Sequence, residues 1–280
     1  MLAVRPILSI FHPSDFSEGS EVAFAHALKI AMAAGAGLDI LHVSGGRQVA
    51  WTEFPGVRAM LERWGVLPPN SPRNAVAAIG IDARKVVTRG SDPVKAAERF
   101  LQQNPTDLVV LAAHTQQGRM GWTRGSKSQP IARASAAAAL FLPYGSDGFV
   151  SRADGSTSLR NVLLPVDSSP APDLACEAAA RLAFGLQSPE VTFTLLHVGG
   201  PGDMPAIEID EHPGWTWRKV TRNGDVVDTI LAVARETSAD LIAMTTAGRH
   251  GFLDALRGST TERVLRSGNL PLLAIPAGYG

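Results

Sequence analysis

The sequence predicts an α/β protein made of two tandem domains, each a parallel sheet flanked by helices. The first observation is an internal repeat, because residues 107–111 (DLVVL) and 240–244 (DLIAM) lie 133 positions apart and the segments after them align without a gap. The second is that short apolar runs alternate with longer helical patterns, which is typical of a parallel sheet covered on both faces. A repeat close to half the chain length indicates two whole domains.

Composition excludes several classes of protein. The 280 residues are enough for two domains of ordinary size, and 26 basic and 26 acidic residues give a formal net charge of zero. This balance argues against binding to nucleic acid or to acidic membranes. Cys176 is the only cysteine, so neither a disulfide framework nor a cysteine metal site is expected. No segment approaches the ~20 apolar residues of a membrane span, and we expect a cytoplasmic protein.

The first half, residues 1–146, contains five predicted strands and three main helices. The strands are expected at 7–11, 38–43, 84–88, 108–112 and 139–142, and the helices at 21–34, 94–103 and 128–137. The helix at 21–34 carries an apolar face. An insert at about 44–81, with a predicted helix at 57–64, separates the second and third strands and has no counterpart of this length in the second half.

The second half, residues 159–280, repeats this order after a linker. Strands are expected at 161–166, 191–198, 217–221, 241–245 and 272–275, with later helices at 228–237 and 260–267. Ser169-Pro170 is predicted to open the first helix, as an N-cap residue followed by proline at the first helical position. The linker at 145–158 is rich in Gly, Ser and Asp, which favours a flexible connection.

Two segments of the second half point to a phosphate-binding site. Ligands of open parallel sheets bind beyond the carboxyl ends of the strands, where the turn at 165–167 and the loop at 248–260 are expected to meet. The loop has the pattern G-x2-G-x6-G-S before a helix. Glycines allow close backbone approach, and a helix N-terminus favours anions. The alternative is that Ser259 and Glu262 form a capping box that only satisfies the helix end.

Several motifs together carry a family resemblance. They are Asp-Phe-Ser at 15–17, Leu-His-Val at 41–43 and again at 196–198, Asp-Leu-Ile at 240–242, and Leu-Pro-Leu-Leu-Ala-Ile-Pro at 270–276. On these motifs the chain resembles the universal stress protein family in its tandem two-domain form. The resemblance implies Rossmann-like domains of the adenine-nucleotide alpha-hydrolase type, each with an open five-stranded sheet in the order 3-2-1-4-5. It also implies an intramolecular pseudo-dimer through the fifth strands, while a further homodimer stays open.

The resemblance further implies that the second half binds ATP or another adenine nucleotide. Pro165, Asp167 and Val198 would lie near adenine and ribose. The remaining residues implied for the nucleotide, mainly around the phosphates, are Ala247, Gly248, Gly251, Gly258, Ser259 and Thr260. A weaker site is expected in the first half, at Pro13, Asp15, Val43, Gly118, Gly125 and Ser126. It should be weaker because Thr115 stands in the place of Gly248 and Pro130 removes one helix N–H group.

These features favour a stress-response sensor or regulator over a fast enzyme. No general base, Ser/His/Asp triad or metal-binding histidine spacing is evident in the sequence, so at most slow ATP hydrolysis is expected; whether Mg²⁺ is needed is open. His42 and His197 are repeat equivalents and are interpreted as structural. The alternative function is a scaffold or ligand-binding module that works through the aromatic insert at 51–64.

Overall fold

The computed structural model describes residues 7–45, 50, 53–113, 128–135, 137–200, 202–207, 209, 212–246 and 259–277. The strands are β1 Ser9–Pro13, β2 Gly37–Ser44, β3 Ala83–Arg89, β4 Leu108–Ala113, β5 Ala138–Pro143, β6 Asn161–Pro165, β7 Val191–Val198, β8 Trp215–Arg222, β9 Leu241–Thr246 and β10 Leu272–Pro276. The helices are α1 Glu18–Ala34, α2 Val57–Arg63, α3 Ala75–Ala78, α4 Pro93–Gln103, α5 Ser128–Ala134, α6 Asp173–Gly185, α7 Val226–Glu236 and α8 Thr260–Ser267. Of these, α3 was not predicted.

The two predicted sheets are joined into one sheet of ten strands. Its order is β3-β2-β1-β4-β5-β10-β9-β6-β7-β8. Counted from each outer edge, both halves have the predicted order 3-2-1-4-5. The fifth strands β5 and β10 pair in antiparallel fashion, with Leu273 opposite Leu140, whereas the neighbouring strands within each half are parallel. The halves are therefore not two separate open sheets, and the outer edges are β3 and β8.

Helices cover both faces of this sheet and enclose one core on each face. One core contains apolar side chains of α1, α2 and α6, and the other contains those of α4, α5, α7 and α8. The central strands β5 and β10 are buried along their whole length, which explains their continuous apolar sequence. No helix of the described part of the chain is long and apolar enough to cross a membrane.

Equivalent aspartates hold the start of the first strand in each half. The Oδ2 atom of Asp107 accepts hydrogen bonds from the backbone N–H groups of Leu8 and Ser9, both at 2.9 Å. Asp240 does the same for Arg160 and Asn161, both at 2.8 Å. These bonds define where the strand begins, and β1 starts at Ser9, two residues after the predicted start. The repeated Asp-Leu motif therefore has a structural role.

The predicted start of the first helix in the second half is wrong. The helix α6 begins at Asp173, its N-cap residue is Pro172, and the Ser169–Pro170 peptide bond is cis. The physical reason is the second proline, because the residue before a proline is disfavoured in the helical region. Ala171 precedes Pro172, so a regular helix cannot start before it.

The linker between the halves is packed against α1. Phe149 and Val150 are buried, and their backbone N–H groups donate to Nε2 of His26 at 3.0 and 3.1 Å. The other ring nitrogen of His26 donates to the carbonyl oxygen of Val22 at 2.8 Å. The Gly-Ser-Asp composition predicted flexibility, but the buried apolar residues dock the segment.

Candidate functional site

The predicted site residues of the second half meet at one cavity. Pro165 ends β6, Asp167 follows it, and Val198 ends β7. Ser259 caps α8 and Thr260 is its first residue. All five line a cavity of about 400 Å³, within the usual size range for small-molecule sites. This is the location expected for an open parallel sheet, beyond the carboxyl ends of the strands.

The walls of this cavity differ in polarity. Apolar side chains form one part: Leu196, Val198, Val226, Ile230 and Met244. Polar groups form the other part: Asp167, Thr245, Ser259, Thr260 and Thr261. A flat apolar group such as a nucleobase suits the first surface, and hydroxyl or phosphate groups suit the second. The arrangement is therefore suited to an amphipathic ligand with an anionic end.

Ser259 does act as a helix cap. Its Oγ atom accepts a hydrogen bond from the backbone N–H of Glu262 at 3.1 Å, as the capping interpretation predicted. A cap bond of this kind uses one acceptor position of the hydroxyl and is compatible with a ligand at the same helix end. The N-terminus of α8 also faces the cavity through Thr260 and Thr261, and a helix N-terminus attracts anions.

Thr245 is a site residue that the sequence analysis missed. It lines the cavity, is 9% exposed, and its Oγ1 atom has no hydrogen-bond partner among the described residues. A buried hydroxyl without a partner costs free energy, so such groups call for an explanation such as a ligand. The available clue was a threonine near the end of an otherwise apolar strand. Its counterpart in the first half is Ala112, which has no hydroxyl.

Several predicted residues lie outside the described part of the chain. In the second half they are Ala247, Gly248, Gly251 and Gly258, and in the first half Gly118, Gly125 and Ser126. The phosphate-binding role of these glycine loops therefore stays a prediction.

The remaining first-half residues, Pro13, Asp15 and Val43, lie near the carboxyl ends of the first two strands. Pro13 and Val43 are partly buried at the ends of β1 and β2, and Asp15 is exposed. The Oδ1 atom of Asp15 accepts hydrogen bonds from the backbone N–H and the hydroxyl of Ser17, at 3.0 and 2.5 Å. The hydroxyl of Ser17 also contacts that of Tyr144. The carboxylate is thus engaged in a local network in this half.

A cavity of about 390 Å³ in the first half lies between α1 and the insert instead. Its walls include Phe16, Glu21 and Met60, and none of the three predicted residues lines it. Phe16 has a φ of 65° and stacks on His42, with ring centroids 3.9 Å apart. Phe54 of the insert contacts the Phe16 ring edge-on.

The insert packs as part of the first half. Phe54 and Trp64 are 3% and 9% exposed, and the indole N–H of Trp64 donates to the carbonyl oxygen of Arg152 in the linker at 3.2 Å. Trp51 lies outside the described residues. Two of the aromatic residues that suggested a working surface are therefore buried within the first half.

The histidines at the strand ends have the structural role that the sequence predicted. Nδ1–H of His42 donates to the carbonyl oxygen of Ser14 at 2.8 Å, and that of His197 donates to Val166 at 3.2 Å. His12 is fully buried, and desolvation lowers its pKa to about 4. Within the residues that the structure describes, no three His, Cys, Asp or Glu side chains are grouped as metal ligands would be.

Comparison with known proteins identifies the fold and the family model that fits this chain. The model described as the universal stress protein family matches residues 9–142 and 206–276. The structure is similar to a universal stress protein from Archaeoglobus fulgidus DSM 4304, with 20% identity and a TM-score of 0.63 over 96% of this chain and 98% of that one. It is also similar to a functionally unknown protein from Pseudomonas aeruginosa PAO1, with 12% identity and a TM-score of 0.61 over 99% and 95%. No curated protein sequence gives a significant match.

Proposed function

The chain belongs to the universal stress protein family, and from this premise we propose that its second half binds ATP or another adenine nucleotide. The observation that carries the proposal is that five residues implied by the family resemblance of the sequence converge on one cavity. Adenine would lie against the apolar side chains that include Val198 and Met244. Asp167 and Thr245 would face the ribose, and the phosphates would lie at the N-terminus of α8 with Ser259 as a donor.

The protein would act as a regulator in a cytoplasmic stress response. Nucleotide binding would select a conformation or recruit a partner, and hydrolysis would be slow or absent. A bound triphosphate brings about four negative charges to the N-terminus of α8, so Mg²⁺ would strengthen binding if it accompanies the nucleotide. The antiparallel pairing of β5 with β10 supports the interpretation of the two halves as a pseudo-dimer within one chain. A weaker or altered site is proposed for the first half, where Ala112 replaces Thr245.

The first test identifies the ligand that the protein carries. Freshly purified full-length protein is denatured, and released nucleotides are identified by mass spectrometry beside a Gly251→Val variant. We expect ATP or ADP from the wild type and neither from the variant. A wild type that releases no nucleotide and binds no added ATP would overturn the proposal and favour the scaffold alternative.

A second test uses Thr245. Replacement by valine keeps the shape and removes the buried hydroxyl, so Thr245→Val should leave stability unchanged or slightly higher. ATP affinity should fall about fivefold to tenfold, the effect of one lost hydrogen bond. Thr246→Val is the matched control, because that hydroxyl donates to Ile275 at 3.3 Å and Thr246 does not line the cavity. Calorimetric titration that found equal affinity for both variants would contradict this placement of the ribose.

A further inference from the structure

A second cavity of about 470 Å³ lies between the C-terminal ends of α1 and α6, where the two halves meet. Ile7, Ile30 and Ala34 contribute from the first half, and Leu182 and Phe184 from the second. Phe184 is 61% exposed at the rim of the cleft and contacts His212 edge-on, with ring centroids 5.9 Å apart. The cavity shares no lining residue with the proposed nucleotide site.

The cleft contains one buried cation and several polar groups that can donate hydrogen bonds. Arg181 lines it, is 8% exposed, and forms an ion pair with Glu177 through Nη2 at 2.9 Å. Ser188 is 5% exposed, and its Oγ atom has no hydrogen-bond partner among the described residues. Gln187 and His212 also line the cleft, and no lining residue in the described part of the chain is acidic. A buried guanidinium beside an unpartnered hydroxyl is suited to an anion, in particular a planar carboxylate.

The internal repeat shows that these residues are specific to the second half. The helix ends are equivalent, since Ala36 N–H donates to Ala31 and Ser188 N–H donates to Ala183 in the same turn. At the left-handed position of this turn the first half has Gly35 with a φ of 65°, and the second has Gln187 with a φ of 54°. A non-glycine residue is strained there, and such strain is concentrated at functional sites. The equivalent turn of the first half also lacks the serine hydroxyl.

We propose that this cleft binds a small carboxylic acid with an apolar body. The carboxylate would be held by Arg181 and Ser188, and the apolar body would lie against Ile30, Leu182 and Phe184. Because both halves line the cleft, the ligand would bind α1 and α6 at the same time. Occupancy would thereby stabilise the contact between the halves, independently of any nucleotide.

The test titrates the full-length protein with octanoate in a calorimeter, with 1-octanol and octylamine as probes of the same length. Octanoate should bind in a one-to-one ratio and at least about tenfold more tightly than either probe, because only it carries a carboxylate that can accept charge-assisted hydrogen bonds from a guanidinium. Arg181→Met should weaken octanoate at least about tenfold, and Ser188→Ala about threefold to tenfold. Arg160→Met is the matched control, since Arg160 is exposed and does not line the cleft.

Ala34→Trp keeps the test valid if Arg181→Met fails to fold. This variant fills the cleft without changing a polar group and should abolish octanoate binding while ATP affinity stays within about twofold of the wild type. The proposal is overturned if octanoate gives no binding heat, if 1-octanol binds equally well, or if Ala34→Trp still binds octanoate. If the wild type bound octanoate but not ATP, the proposed nucleotide site would be wrong and the proposal for this cleft would stand.

Discussion

At the scale of single residues, two buried histidines are the most informative side chains of the first half. His12 and His26 are each 0% exposed, and burial lowers the pKa of both to about 4. His26 must be neutral in the folded state, because its Nε2 atom accepts two backbone N–H groups of the linker. A protonated ring has no acceptor nitrogen, so acid would break this contact.

The protein should therefore lose stability on acidification at pH values above those at which the carboxylates titrate. The folded pKa of about 4 lies below the ordinary 6.5, so between these values the unfolded state binds more protons. The free energy of unfolding therefore rises with pH in this window. The stabilising contribution of each neutral histidine is fully present above about pH 6.5 and is lost as the pH falls toward 4. Through each histidine, acidification from pH 7 to 5 should lower the free energy of unfolding by about 2 kcal/mol.

His26→Gln tests this expectation, since glutamine keeps one acceptor and does not titrate. In urea unfolding at several pH values, the free energy of unfolding of this variant should decrease between pH 7 and 5 by about 2 kcal/mol less than that of the wild type. The His12 contribution stays as an internal control. The same pH dependence in variant and wild type would show that the linker does not need a neutral His26.

At the scale of elements, each half uses an aspartate to start its first strand. Asp107 and Asp240 are sequence equivalents and accept the same pair of backbone N–H groups. The shared Asp-Leu motif is visible in the sequence. The role of its aspartate is not, because the N–H groups from which it accepts hydrogen bonds lie 79 to 99 positions away in the chain. Only the pairing of the first and fourth strands brings them together.

Asp240→Ala should therefore destabilise the protein by about 2 kcal/mol, because the charged acceptor of two backbone hydrogen bonds is lost. Asp240→Asn keeps one acceptor oxygen and should cost about half as much. Asp147→Ala is the control, since Asp147 is 87% exposed and forms only a surface ion pair with Arg152 at 3.3 Å. If chemical unfolding gave the same free energy of unfolding for Asp240→Ala as for this control, Asp240 would not stabilise the start of the strand.

At the scale of the whole molecule, the fifth strands turn two half-sheets into one. Both β5 and β10 are buried along their length, whereas the outer strands carry charges: Arg84, Lys85 and Arg89 in β3, and Arg218, Lys219 and Arg222 in β8. Charged edges resist pairing with another sheet. A homodimer of the full chain is therefore not expected to form by pairing of the sheet edges. A homodimer through another surface stays a prediction.

The second half alone should behave differently. A chain of residues 159–280 exposes β10, an apolar edge that the first half normally covers. We expect it to form a homodimer in sedimentation velocity at micromolar concentration, and to form a heterodimer when residues 1–158 are coexpressed. A folded monomer of residues 159–280 at ~100 μM would show that the β5–β10 contact is dispensable.

The sequence by itself determined the family, the tandem repeat and the presence of all ten strands, and it supplied the residues proposed for the nucleotide site. Strand periodicity and short motifs are local properties, so they are visible in the sequence, and the family resemblance that the motifs carry implies Pro165, Asp167, Val198, Ser259 and Thr260 as site residues. The tertiary structure decided what depends on distant partners. It joined the sheets through β5 and β10, buried the linker against His26, placed Thr245 in the cavity proposed to bind a nucleotide, and created the cleft at Arg181. Each of these contacts links residues far apart in the chain, and no local pattern records them.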